Sequence, residues 1–297
     1  MTTAITTSSD AVSWRRTLGV GLVLYVIGLV IFGLTGNLNL FPALMLLGNF
    51  LIPVTFVAFF YQHRHLSTVR LPTVAGAFFY GGFLGAFAAT VLEAIYGAAV
   101  QNSSLMGITL AVVLFLGVGV IEEGAKLLGV LVVARNAEHD AEIDGIILGA
   151  AAGMGFAALE SIGYAFSAFV ASQGSLTAAL AATLLRGILA PVGHGTWTAI
   201  VASVLFRDTV GGRFRVDRAV LGAFLTAAVL HALWDASGPI IASLALPAGL
   251  TFVATVVVLA IVGATGLIVL WLRWREAVRR EVATGKSGPR PAPGVAP

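Results

Sequence analysis

The sequence predicts an all-α protein: a polytopic membrane helical bundle of about eight transmembrane helices, with N- and C-termini in the cytoplasm. Three observations carry this. The chain is 58% hydrophobic and 10% charged, with a mean hydropathy of +0.97, whereas soluble domains carry about 25% charged residues. Its apolar residues fall into runs long enough to cross a bilayer core, which takes about 20 residues of helix. And Lys and Arg occupy every second connection between those runs.

The first run, 17–35, follows Arg15 and Arg16. It has no small-residue cleavage exit, so it reads as a retained span rather than a removed leader. Runs 38–60 and 73–99 come next, with Arg64 and Arg70 between them. Run 106–134 ends at Arg135. Runs 144–170 and 176–206 lead to a connection holding Arg207, Arg213, Arg215 and Arg218. Runs 217–238 and 243–272 close the bundle, and Arg273, Arg275, Arg279, Arg280, Lys286 and Arg290 follow. Of the 17 basic residues, only Lys126 and Arg186 lie inside spans. The alternate connections "TGN", "QNSSL", "SQGSL" and "SGPIIAS" have none. The basic side therefore faces the cytoplasm.

Residues 1–272 read as one transmembrane domain with its core at about 106–238, and 273–297 as a basic, Pro/Gly-rich cytoplasmic tail, disordered by composition from Lys286. The pI of about 9.6 follows from this topology rather than from nucleic-acid binding. The partner it implies is the lipid bilayer, of a bacterial cytoplasmic membrane. With no cysteine, the chain has no disulfide, thiolate ligand or cysteine nucleophile.

Nine ionisable residues fall inside the spans: Glu93, Glu122, Glu123, Lys126, Glu160, Arg186, His194, His231 and Asp235. Each ionised Asp, Lys or Arg at a helix centre costs about 2.5–3.5 kcal/mol, so the set must pair, lose its charge, bind a metal or line a wet cavity. At about 1.5 Å of rise per residue, Glu122 and His194 lie about 18–20 Å from the cytoplasmic end, His231 about 21 Å, Glu160 about 24 Å and Asp235 about 27 Å. Four helices thus bring an acid or imidazole to nearly one level. Residues four apart share a helix face, which pairs Glu122 with Lys126, Phe156 with Glu160, and His231 with Asp235. Glu123 is about 100° round from Glu122 and turns aside.

Other features give further expectations. In "RGILAPVGHGTW" (186–197), Pro191, Gly193 and Gly195 predict a weakened helix beside a cavity. Glu93 and Arg186, both about 30 Å deep, are expected to form a structural salt bridge. "GGFLG" (81–85) and "GAAAG" (149–153) mark close helix packing. The loop "EHDAEID" (138–144) is expected to be solvated, with His139 as a further metal candidate.

Three motifs stand in order. "EEGAK" (122–126) reads EExxK, "FAALE" (156–160) reads FxxxE, and "HALWD" (231–235) reads HxxxD. They resemble the signature motifs of the PrsW-type intramembrane proteases, a group related to CAAX-processing and bacteriocin-processing membrane proteases. "RGILAPVGHGTW" resembles that family's Arg-then-His segment. The resemblance implies an intramembrane endopeptidase hydrolysing a peptide bond of a membrane-anchored protein, with an anti-sigma-factor-like substrate as one candidate. It implies catalytic roles for Glu122, Glu123, Glu160, His194, His231 and Asp235, supported by Lys126, Arg186 and Phe156.

In that reading Glu122 is the general base on water and Lys126 balances its charge. His231 polarises the scissile carbonyl, Asp235 holds the His231 ring, and His194 is a ligand or proton shuttle. Glu160 shares the water or ligates a metal. The metalloprotease-like classification points to Zn2+ on Glu160, His194 and His231; the related CAAX-type enzymes point to glutamate catalysis without metal, and both stay open here. A proton-coupled transporter, which would use midplane acids and imidazoles as a relay, and a catalytically silent scaffold of the same fold are the alternatives.

Overall fold

The computed structural model describes residues 13–135, 141–209 and 213–283, and only the backbone at 190 and 191. His139 and the tail from Lys286 lie outside the described residues. The helices are α1 (Trp14–Thr35), α2 (Leu40–Gln62), α3 (Leu71–Phe79), a π-helical segment (Tyr80–Gly85), α4 (Ala86–Gln101), α5 (Gly107–Ala134), α6 (Glu142–Ala171), α7 (Leu176–Arg207), α8 (Arg218–Ser243) and α9 (Ala248–Ala283). With α3, the π segment and α4 taken as one span, Leu71–Gln101, eight helical spans among the described residues are long and apolar enough to cross a membrane. The chain is a multi-pass integral membrane protein.

Helix ends follow local chemistry. Ser13 caps α1 by accepting from the Arg16 N–H, and Gly36 closes α1 in the left-handed region at φ 63°, where glycine has no steric penalty. Asp217 caps α8, accepting from the N–H groups of Ala219 and Val220 at 2.9 and 3.0 Å.

α6 is the buried axis of the bundle, and its glycines explain why. Gly145, Gly149 and Gly153 recur every fourth residue, so they form one stripe. A Cβ on them would sit 2.3, 2.6 and 2.3 Å from the carbonyl oxygens of Ala202, Thr198 and His194. α7 can therefore lie directly on α6, and this seats His194. On the other side, a Cβ on Gly81 would come 2.5 Å from Ala152 Cα, and one on Gly129 would come 2.6 Å from Gly81 N. The π-helical segment is where α3–α4 slots between α5 and α6. π-bulges of this kind are found mostly at functional sites. Both small-residue spacings seen in the sequence thus serve packing within the bundle.

Three expectations need correction. α7 runs without a break through 186–197. Gly193 and Gly195 make room there: a Cβ on Gly193 would meet the Trp197 ring at 2.6 Å, and one on Gly195 the Met154 side chain at 2.3 Å. All of "SGPIIAS" (237–243) is the end of α8, with Pro239 inside the helix, rather than a connection. The described part of "EHDAEID" is not solvated.

Glu142 and Asp144 are 2% and 1% exposed. They start α6, where free N–H groups and the dipole favour acids. Asp144 accepts from Ser67 Oγ at 2.5 Å, Thr68 Oγ1 at 2.8 Å and Thr68 N–H at 3.1 Å, which ties α6 to the α2–α3 connection. Glu142 meets Arg273 Nη2 at 2.5 Å. α9 continues beyond the apolar run that ends at 272, as far as Ala283, and so carries Arg273 to this point.

Candidate active site

The two adjacent glutamates of α5 share one cation. Lys126 is completely buried. Its Nζ donates to Glu122 Oε2 at 3.0 Å, to Glu123 Oε1 at 2.9 Å and to His194 Nδ1 at 2.8 Å. It also lies 4.2 Å from the centroid of the Phe156 ring. An ammonium group has three protons, and here all three have acceptors, with an aromatic face beside them. The four-residue spacing of Phe156 and Glu160 thus places a ring beneath the lysine and an acid one turn further on.

Glu123 faces away from Glu122 around the helix, as its 100° offset requires, but not away from the site. It accepts from Thr198 Oγ1 at 2.9 Å and contacts His231 Nδ1 at 3.0 Å. A carboxylate can only accept, so Nδ1 of His231 carries a proton and directs it at Glu123. The Nε2 of that ring is buried without a hydrogen bond. It lies 3.3 Å from both Glu122 Oε2 and Asp235 Oδ2. Two carboxylate oxygens around one ring nitrogen call for a proton on that nitrogen or a cation between them.

His194 is held at both nitrogens. Lys126 donates to Nδ1, and Nε2 lies 3.2 Å from Glu160 Oε2. The imidazoles of His194 and His231 are 5.0 Å apart, edge to face, and Trp197 lies against His231 at 4.9 Å.

Arg186 pairs with Glu160, Nη2 to Oε2 at 2.7 Å, and its guanidinium lies 3.7 Å from the Tyr164 ring centre. The expected Arg186–Glu93 bridge is therefore not formed. Depth alone pairs them; Glu160, about one turn nearer the cytoplasmic end, takes the arginine instead. Glu93 stands against the Glu122 carboxyl.

One oxygen of Glu122 and one ring nitrogen each of His194 and His231 lie within 4.8 Å of one another. This His/His/Glu group is able to hold a metal ion. The acid in it is Glu122, where the sequence suggested Glu160, because Arg186 and His194 already engage Glu160. The charge balance fits a cation too. Among the described residues, five acids, Glu93, Glu122, Glu123, Glu160 and Asp235, gather here around two fixed cations, Lys126 and Arg186, so acids outnumber bases by three.

Beside the cluster is a cavity of about 940 Å³. Glu93, Glu122, Glu160, Tyr164, Arg186 and Asp235 are on its wall; Glu123, His194 and His231 lie behind it. Its lining on α5 lies from Leu114 to Glu122, on α6 from Phe156 to Ser167, and on α8 from Trp234 to Pro239. The helices alternate in direction, so all three stretches run from the cluster toward the same end of the bundle. That is the end opposite Glu142 and Arg273.

Every site residue expected from the sequence lies at this cluster. Sequence reading missed Thr198, which holds Glu123, Trp197, which backs His231, Tyr164, and the cavity position of Glu93. Thr198 had a signal, since it is one turn from His194 on the same face.

No curated protein and no solved structure matches the chain. A family comparison does match, over residues 70–264, to the PrsW family intramembrane metalloproteases. This stretch contains all three motifs and the cluster they build, and it decides for a protease over a carrier. The chain belongs to the PrsW family of intramembrane metalloproteases.

Proposed function

We propose that this protease cuts a membrane-anchored protein at a water held by Glu122. The observation that carries the reading is that, of the two adjacent glutamates, Glu122 alone lines the cavity while also lying 3.3 Å from Nε2 of His231. Glu123 is enclosed by Lys126, Thr198 and His231 and serves to orient the His231 ring, as acid partners of imidazoles do. Glu122 takes the proton of the attacking water and passes it to the leaving amine. His231 stabilises charge on the scissile carbonyl, with Asp235 steadying its ring. His194, Glu160 and Arg186 form a second wall that keeps the peptide against Glu122.

Zn2+ fits this donor set. His231 Nε2 and Glu122 would hold it, with His194 Nδ1 as the third ligand in exchange for its hydrogen bond from Lys126, and it would supply a Lewis acid for water or carbonyl oxygen. Purified protein is expected to contain about one zinc per chain. The zinc content should fall in His231→Ala and in Glu122→Gln. Metal-free protein that cleaves at the full rate in chelator would rule zinc out and leave glutamate catalysis.

The alternation of basic connections supports cytoplasmic termini. In that orientation the cavity faces outward, so the bond cut lies in the outer half of the membrane. This favours a substrate of the anti-sigma-factor type, anchored in the membrane with a domain outside. The chain has no cysteine, so Ser103→Cys gives a single label site between α4 and α5. An impermeant maleimide should react with it in intact cells; labelling only after the cells are opened would reverse the orientation.

A further inference from the structure

All but one of the carboxylates on the cavity wall have a nitrogen-bearing side chain close by. Glu122 has Lys126 at 3.0 Å, Glu160 has Arg186 at 2.7 Å, and Asp235 has His231 at 3.3 Å. The exception is Glu93 on α4. It lines the same cavity. Its Oε1 is closed off and makes no hydrogen bond, and its carboxyl shares a hydrogen bond with that of Glu122 rather than with a cation. Arg186, its expected partner, is committed to Glu160 and Tyr164. Two facing carboxyls in a low-dielectric site repel unless a cation or a proton comes between them. His231, fully buried, brings its Nε2 to 3.3 Å from both Glu122 and Asp235, so it too is committed on this wall and leaves Glu93 without it. Of the carboxylates on this wall, Glu93 is thus left without a basic side chain among the described residues.

We propose that Glu93 is a specificity-determining residue that receives a cationic side chain, Lys or Arg, of the substrate. The inference rests on the reading of Glu122 as the group that holds the reacting water. Because Glu93 stands beside Glu122, a side chain bound to it belongs to a residue within about three positions of the scissile bond, at about 3.3 Å per residue of extended chain. An acidic side chain at that place would meet four carboxyls and be rejected.

The test uses the full-length protein in liposomes. The probe is a library of single-span peptides, each an apolar helix followed by a randomised outer segment, and the products are sequenced by mass spectrometry. Wild-type cuts should be enriched about tenfold in Lys or Arg within three residues of the cut, as one partly desolvated ion pair would give. Glu93→Gln should bring that enrichment close to onefold, and Glu93→Lys should turn it toward Asp and Glu. Each ratio is internal to one preparation, so it does not depend on how much variant folds. A basic preference that survives Glu93→Gln, or wild-type cuts with no basic preference, overturns the proposal; the latter is what a Glu93 that merely holds a proton would give. Identical products from wild type and Glu122→Gln would overturn the reading beneath it as well, and that outcome is recognisable because it does not depend on the peptide sequence.

Discussion

Glu122→Gln is expected to lower cleavage by about 10²- to 10⁴-fold while the bundle still folds, the usual range for loss of a general base. The amide keeps the shape and an oxygen for Lys126 Nζ, now 3.0 Å from Oε2, but it cannot take a proton from water. Glu123→Gln makes a useful contrast. That side chain accepts from Lys126 and Thr198 and orients His231 in a closed pocket. Its replacement puts an amide N–H against one of three donors, so folded yield should fall along with rate. Fragment release from liposomes, normalised to folded protein by size-exclusion chromatography, separates the two. Equal normalised rates for Glu122→Gln and wild type would remove Glu122 from the chemistry.

The largest effect on stability is expected at Lys126. Lys126→Met keeps the length and apolar volume of the stem but removes the ammonium from a site with no solvent exposure. Glu122 and Glu123 would then both be buried without the cation they share. Breaking a buried ion pair by deleting one partner costs about 3–5 kcal/mol, and here one deletion strips two acids and an imidazole. The free energy of unfolding from a denaturant titration should fall by that amount. Arg186→Gln should cost less, because Arg186 and Glu160 keep 23% and 19% side-chain exposure. If Lys126→Met were as stable as wild type, at least one of the two glutamates would have to be neutral in the folded protein.

The spans were legible in the sequence because the bilayer imposes one rule on all of them: every backbone polar group must be satisfied within the segment. Run 106–134 matches α5 (Gly107–Ala134) almost to the residue. Pro239 broke the reading of α8, since a proline after "ASG" reads as a turn, yet apolar Ile240 and Ile241 carry the helix on. The level of the site was legible too, because rise per residue is fixed. Partner choice within that level was not. Rise gives depth but not which helix stands opposite, so Arg186 was matched to Glu93 when α6 in fact brings Glu160 to it. Glycines misled in the same way. Gly193 and Gly195 weaken an isolated helix, but in the bundle they admit the Trp197 ring and Met154. Whether a small residue loosens a helix or lets another approach depends on a neighbour far away in sequence.

The most direct test of the central claim is fragment proteomics of membrane proteins in cells carrying wild type, Glu122→Gln or His231→Ala at equal folded levels. The account predicts the same set of membrane-anchored proteins accumulating uncut in both variants. It also predicts that the wild-type cuts lie in the outer half of the membrane. Loss of different substrates in the two variants, or no accumulation in either, would contradict it.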